Sequence, residues 1–392
     1  MKLLVISPVP SHPQNAGNRA RIYSLLLNLK EMGHNVYFLH IQREPGDEEA
    51  MKSCWGSNFY SILYQEPKTA QKKPPKRLGA RILRKALSLV TSDPRFTYLI
   101  DDWYDDSVNA AILNLSKKIS PDVVMVEYVF FSKALELFEQ KVLKIIDTHD
   151  KFADRYKIYQ KQGKAPRWYS TTKREEIKGL NRADVILAIQ QKEADWFANI
   201  LKNKQIFTVG HVTPLHKSEY HKINHKILFV GSSNLINVEG INYFIKDVFP
   251  IIKSKFDDVE LVLAGDVCDQ VEVFDGCLKL GRLDNLQEAY DLVDIVINPV
   301  RFGTGLKIKN IETLGYSKAL VTTLVGAEGI EEGAGKAFLI ANSPEEFFNA
   351  IKKIFSDAEF YEELSKNAYS FAKQWNQRSL KILTDILNPV SK

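Results

Sequence analysis

Two doubly wound α/β domains facing each other across a cleft are the architecture this sequence predicts. Short apolar runs rich in β-branched residues alternate with helix-period segments, the pattern of βαβ units and parallel sheets. Those runs come in two consecutive series, and 392 residues is the length of two or three ordinary domains. With 45% hydrophobic and 26% charged residues, the composition excludes a largely disordered chain, a collagen-like fibre and a disulfide scaffold.

The first series opens with KLLVIS (Lys2–Ser7), a buried strand. A helix over Ala20–Met32 follows, with Ile22, Leu25, Leu26 and Leu29 on one face and Gly33 as its stop. Asn35–Ile41 reads as the next strand, and Val123–Glu127, Val142–Ile146 and Val185–Ile189 repeat the signature. This first domain spans 1–208. Residues 209–225 are weakly patterned and read as a hinge. His211, His216, His221 and His225 lie there without carboxylate or cysteine ligands at a recognised spacing, so the segment is expected to be a solvated linker and no metal site. The second series, 226–371, contains ILFVG from Ile227, then Glu260–Gly265, Asp294–Pro299 and Ala319–Thr323.

A net charge of +5 over so large a surface does not call for nucleic acid, which leaves a stronger basic footprint. Three cysteines, Cys54, Cys268 and Cys277, form no framework and are expected to be reduced thiols of a cytoplasmic protein. The apolar run Leu3–Ile6 is too short for a signal-peptide core, and no stretch reaches the roughly 18 to 20 apolar residues of a spanning helix. One segment is strongly biased: Pro67–Arg84 carries Lys68, Lys72, Lys73, Lys76, Arg77, Arg81 and Arg84 with no acid, and leads into an amphipathic stretch, Leu78–Val90. Such a run is either a solvated loop or a surface for an anionic membrane, which would place the protein peripherally on the inner face of the plasma membrane.

The sharpest local signal is NPVRFGTGLKIKNIETL (Asn298–Leu314). A strand ends at Pro299, a glycine-bearing turn follows and an amphipathic helix starts near Leu306. Ligands of open α/β sheets bind at the carboxyl ends of the strands. Gly303 and Gly305 let the backbone approach a ligand, while the helix start offers N–H groups to phosphate. Lys307 and Lys309 add positive charge. Glu312, about two turns in, is placed to accept hydrogen bonds from hydroxyls such as a ribose diol. Taken alone, Gly-x-Gly is equally a structural turn.

The surrounding motifs narrow the choice. FVGSSN (Phe229–Asn234), N-x-x-G-x-x-Y-F (Asn237–Phe244), the motif from Leu292 to Pro299, K-x-K-x-x-E (Lys307–Glu312) and a glycine at Gly315 ahead of the strand Ala319–Thr323 occur in order. In this set the chain resembles the GT-B glycosyltransferases of glycosyltransferase family 4, well over 226 to about 330 and more loosely in the first half. The resemblance implies a retaining transferase that takes a sugar from a nucleoside diphosphate donor as co-substrate, with no other cofactor and no obligatory metal. It also implies that C-terminal helices within Phe360–Leu387 cross back, about 372–392 completing the first domain. By the same resemblance Glu312 holds the donor ribose. The Gly303–Thr304–Gly305–Leu306 backbone cradles diphosphate, aided by Lys307, which is also taken as catalytic, and by Lys309, Arg301 and the Gly231–Ser232 turn. A loop around Gly17 and Asn18 faces acceptor and phosphate, and His149, in Asp147-Thr148-His149-Asp150 at a strand end, lies near the transferred sugar. The acceptor this implies is a cell-surface glycan or a lipid-linked oligosaccharide precursor.

The chain also departs from the family pattern. Many members carry a second glutamate eight positions before Glu312, where this chain has Thr304. A basic pair after the first strand of the second domain is replaced by Gly231-Ser232-Ser233-Asn234. Val209-Gly210-His211-Val212 stands where Pro-Asn-Gly is common, and no chemistry is attached to it. The competing readings are a degenerate nucleotide-binding member and a sugar-nucleotide epimerase or phosphorylase on the same architecture. A nicotinamide oxidoreductase lacks its Gly-x-Gly-x-x-Gly fingerprint after either opening strand.

Overall fold

The computed structural model describes residues 1–64, 96–165, 168–217, 222–283 and 285–388. The basic segment 67–90 and His221 therefore lie outside the described residues. The chain divides into two compact units, Met1–Pro13 with Leu25–Val209, and Gln14–Ser24 with Gly210–Lys392.

Among the described residues the first unit carries a parallel sheet of β1 (Lys2–Ser7), β2 (Asn35–Gln42), β3 (Phe59–Leu63), β4 (Val123–Glu127), β5 (Leu143–Asp147), β6 (Val185–Ala188) and β7 (Gln205–Thr208). Their spatial order is β3-β2-β1-β4-β5-β6-β7. Leu3 to Ile6 and Val123 to Val126 are fully buried, as expected of strands covered on both faces, and this is why they read as unbroken apolar runs. The order reverses between β1 and β4, so a crevice opens at their carboxyl ends. In the parallel register Glu127 of β4 lies opposite Asp147 of β5.

The second unit repeats the design with β8 (Lys226–Val230), β9 (Glu260–Ala264), β10 (Cys277–Gly281), β11 (Ile295–Asn298), β12 (Ala319–Thr322) and β13 (Leu339–Ile340). Their order is β10-β9-β8-β11-β12-β13, and the switch point falls between β8 and β11. Each sheet is Rossmann-like, as the two series predict.

Three local expectations are corrected. The first helix runs over Gly17–Glu31, so Gly17 opens a helix rather than sitting in a loop. The helix carrying Glu312 starts at Ile308, which puts Glu312 just over one turn in. The start of the expected hinge, residues 209–213, is packed rather than solvated: Val209, His211 and Thr213 are buried. Their backbone groups find partners on the single long helix Ala358–Leu387, where Trp375 Nε1 donates to His211 O at 2.9 Å. Asn376 closes a two-way clamp, accepting from Thr213 N at 3.0 Å and donating to Thr213 O at 2.7 Å. No helix among the described residues is long and apolar enough to cross a membrane.

Candidate active site

In the first unit, β4 and β5 are each followed within two residues by an aromatic ring held on left-handed backbone. Tyr128 has φ 71° and His149 φ 60°. Bulky residues rarely adopt that region, and such strain concentrates where a side chain must be aimed. The two rings stack at 4.0 Å and 14°. His149 Nε2 lies 2.5 Å from Glu127 Oε2, within hydrogen-bond distance, and 3.5 Å from Asp147 Oδ2. All three residues are buried. The adjacency follows from the parallel register, which sets Glu127 opposite Asp147, two residues before His149.

Glu127, Asp147 and His149 present possible ligand atoms within 4.8 Å of one another. Two ligands of one tetrahedral ion stand about 3.3 Å apart. At 2.5 Å, His149 and Glu127 are spaced for a hydrogen bond, so a metal would have to open that contact. More acid lies behind the pair. Asp150 Oδ2 accepts from Arg155 Nε at 3.0 Å. Glu176 accepts the N–H groups of Phe152 (2.8 Å) and Ala153 (2.6 Å), yet burial outweighs those bonds and pushes its carboxyl up to about 8. Burial, with Asp150 beside it, also pushes the Glu193 carboxyl well above the usual range.

In the second unit the loop 299–307 joins β11 to the helix Ile308–Gly315 at the switch point. Gly303 has φ 129° and Gly305 φ 74°, conformations a side chain would strain. No side chain caps the helix start and no acid stands in its first turn, so the positive end of the helix dipole is available to an anion. Lys307 Nζ donates to Thr304 O at 3.2 Å and to Gly305 O at 2.7 Å, which folds its charge back over the same loop. Leu306 is buried beneath it. Gly17 packs here too: a Cβ on it would stand 3.4 Å from Ile308 Cδ1. Next to Gly17, Asn18 Oδ1 accepts from Arg19 N at 3.0 Å.

The other predicted donor residues have different surroundings. Lys309, half-buried, donates from Nζ to Asn237 Oδ1 at 2.7 Å and lies 4.3 Å over the Phe229 ring. Burial pushes its ammonium down to about 7, so it acts first as a strut. Asn237 passes the support on, donating to Ser232 O at 3.1 Å and thereby shaping the Gly231–Ser232 turn. The carbonyl of Gly231 would stand 2.4 Å from a Cβ on Gly265, so β9 leaves that turn no room to move. Arg301 pairs with Glu239 and lies 4.3 Å over the Tyr243 ring, so its charge is already matched.

Glu312 keeps its side chain partly exposed, and His211 Nε2 lies 3.7 Å from its Oε1. Sequence reasoning attached no chemistry to His211. The contact joins positions far apart in the chain, and it becomes visible only when the 209–217 segment is seen against the Glu312 helix. The predicted strand topology already sets Glu127, Asp147 and Asp150 near His149 without choosing among them, and the geometry makes Glu127 the hydrogen-bonding partner. Asn237 could have been suspected as the head of N-x-x-G-x-x-Y-F.

Residues 224–357 match the family model of glycosyl transferases group 1. Over its whole length the chain is similar to an uncharacterized 44.6 kDa protein in the cps region of Klebsiella pneumoniae, with 24% identity over 408 residues and 98% of each chain covered. Among solved structures it is similar to sucrose-phosphate synthase from Thermosynechococcus elongatus (13% identity, 99% of each chain, TM-score 0.68). It is also similar to HepE from Anabaena in complex with UDP and glucose (13% identity, 100% of each chain, TM-score 0.66). The fold is therefore GT-B.

Proposed function

We propose that this protein is a retaining glycosyltransferase that moves a sugar from a nucleoside diphosphate donor to a hydroxyl of a glycan or lipid-linked oligosaccharide precursor, without an obligatory metal. The observation that carries this reading is the uncapped start of the helix Ile308–Gly315. It is approached through two left-handed glycines at the end of β11, overlaid by Lys307, and followed one turn later by Glu312. That is a diphosphate site with a hydroxyl acceptor beside it. The match of 224–357 to glycosyl transferases group 1 supports the same reading.

In the proposed transfer, the bond from the anomeric carbon to the diphosphate oxygen breaks while the acceptor oxygen bonds on the same face. The acceptor's proton passes to the departing phosphate oxygen. Loop N–H groups and Lys307 stabilise the charge that grows on the leaving group, a preorganised electrostatic contribution of several kcal/mol. Thr304, in place of an acid, cannot serve as a carboxylate nucleophile. His149, fixed by Glu127 and Tyr128, orients the transferred sugar.

The test is a thermal-shift panel of UDP, GDP, ADP, dTDP, CMP and NAD with EDTA throughout, followed by sugar transfer from the matching donor. A ligand at 100 times its Kd stabilises by about 2.7 kcal/mol. One nucleoside diphosphate that raises Tm by roughly 5 °C, with EDTA-resistant turnover, supports the reading. Nucleotide binding without any turnover would favour the degenerate member, and a strict metal requirement would overturn the metal-free chemistry. For the basic segment 67–90, we propose an anionic membrane surface. Neutralising Lys72, Lys73, Lys76 and Arg77 should reduce binding to phosphatidylserine vesicles, and unchanged binding removes that part.

A further inference from the structure

We infer that His211 is a positioning residue for the donor site: its buried imidazole fixes the carboxylate of Glu312 in the orientation that meets the ribose diol. This rests on the reading of Glu312 as the ribose acceptor. Three observations lead to it. Both ring nitrogens of His211 are buried and have no hydrogen-bond partner among the described residues, an arrangement that costs free energy unless a use offsets it. The carboxylate of Glu312 stands close by, with Nε2 3.7 Å from Oε1, just beyond a hydrogen bond and within reach of a small side-chain rotation.

The third observation is the effort the fold makes to hold the histidine in place. Trp375 and Asn376 bond the backbone at His211 and Thr213, and Ser24 Oγ donates to Val212 O at 2.5 Å. A Cβ on Gly210 would stand 2.2 Å from the Trp375 indole, so the segment lies flat on that ring. On its other side the segment docks on the end of the Glu312 helix itself. His216 N donates to Gly315 O at 2.8 Å, and Ser317 Oγ donates to His216 O at 2.8 Å. The imidazole and the carboxylate are thus held by one rigid assembly.

A carboxylate has two oxygens, and two ribose hydroxyls can share it only when its plane is set. A small rotation that brings an N–H of His211 onto Oε1 sets that plane, so the histidine shares with the nucleotide the ordering of the Glu312 side chain. Through Glu312, His211 would then discriminate ribose from 2′-deoxyribose without touching either.

The experiment is calorimetric titration of UDP and 2′-deoxy-UDP into the whole protein and into His211→Phe, His211→Gln and Glu312→Ala. His211→Phe keeps the buried ring and removes the N–H. It should weaken UDP about tenfold, the size of one hydrogen bond to a charged group, and change 2′-deoxy-UDP by less than about twofold. His211→Gln, which restores an N–H near the Nε2 position, should recover most of the UDP affinity. If the Phe variant does not fold, His211→Asn, too short to reach Oε1, takes its place in the same comparison. Wild-type UDP affinity in His211→Phe, or equal losses for both nucleotides, overturns the inference while a weakened Glu312→Ala leaves the ribose reading standing. If Glu312→Ala itself binds UDP normally, both fall.

Discussion

A carboxylate that meets a ribose diol loses a charge-assisted bond when it is removed. Glu312→Ala is therefore expected to weaken UDP binding by about 1.5 to 3 kcal/mol, read by titration calorimetry. At Glu127 the expectation is different, because in the proposed site that side chain would act through His149. Glu127→Gln should leave nucleotide affinity unchanged and lower kcat roughly tenfold, the cost of one charged hydrogen bond that aims the ring, measured as donor turnover at saturating nucleotide sugar. A third buried acid affects stability. Burial pushes Glu176 from its ordinary 4.5 up to about 8, so between those values the folded chain holds a proton that the unfolded chain has released. The folded state then binds more protons, and stability falls as pH rises through that window. Glu176→Gln cannot titrate, so its Tm should decline less than the wild type's between about pH 5 and 8, whatever its Tm at the acid end.

At the scale of elements, the helices and strands that hold the site rest on short, specific devices. Asp357 caps the long last helix by accepting from Phe360 N at 2.9 Å, and Asp357→Ala should cost about 1 kcal/mol in chemical denaturation. Gly210→Ala should cost more, about 1 to 3 kcal/mol, because its new methyl group would push into the Trp375 indole. How much of this could be read in advance differs by element. Strands buried on both faces, such as Leu3–Ile6, announce themselves as apolar runs and were legible. β7 (Gln205–Thr208) and β13 (Leu339–Ile340), short edge strands with partly exposed side chains, carry no such run and were not. The turn before Ile308 was legible because Gly303 and Gly305 do backbone work that the local sequence alone declares. Strand order placed Glu127 near His149 but could not choose it over Asp147 or Asp150, and the His211–Glu312 pair was not legible, since it depends on which distant segments the fold lays side by side.

At the scale of the whole molecule, two units with separate cores share one chain, and the second begins with a segment borrowed from residues 14–24. Nucleotide should act on the second unit first, so a melt followed with and without UDP is expected to shift the part of the transition that belongs to 210–392 more than the rest. A natural reporter makes that separation measurable. Of the five tryptophans, Trp55, Trp103, Trp168 and Trp196 belong to the first unit, and Trp375 alone belongs to the second. Its indole lies flat beneath Gly210 and holds the carbonyl of His211. With the other four replaced by phenylalanine, its emission colour and quenching would become an optical signal of nucleotide arrival, without a dye and without a second binding assay.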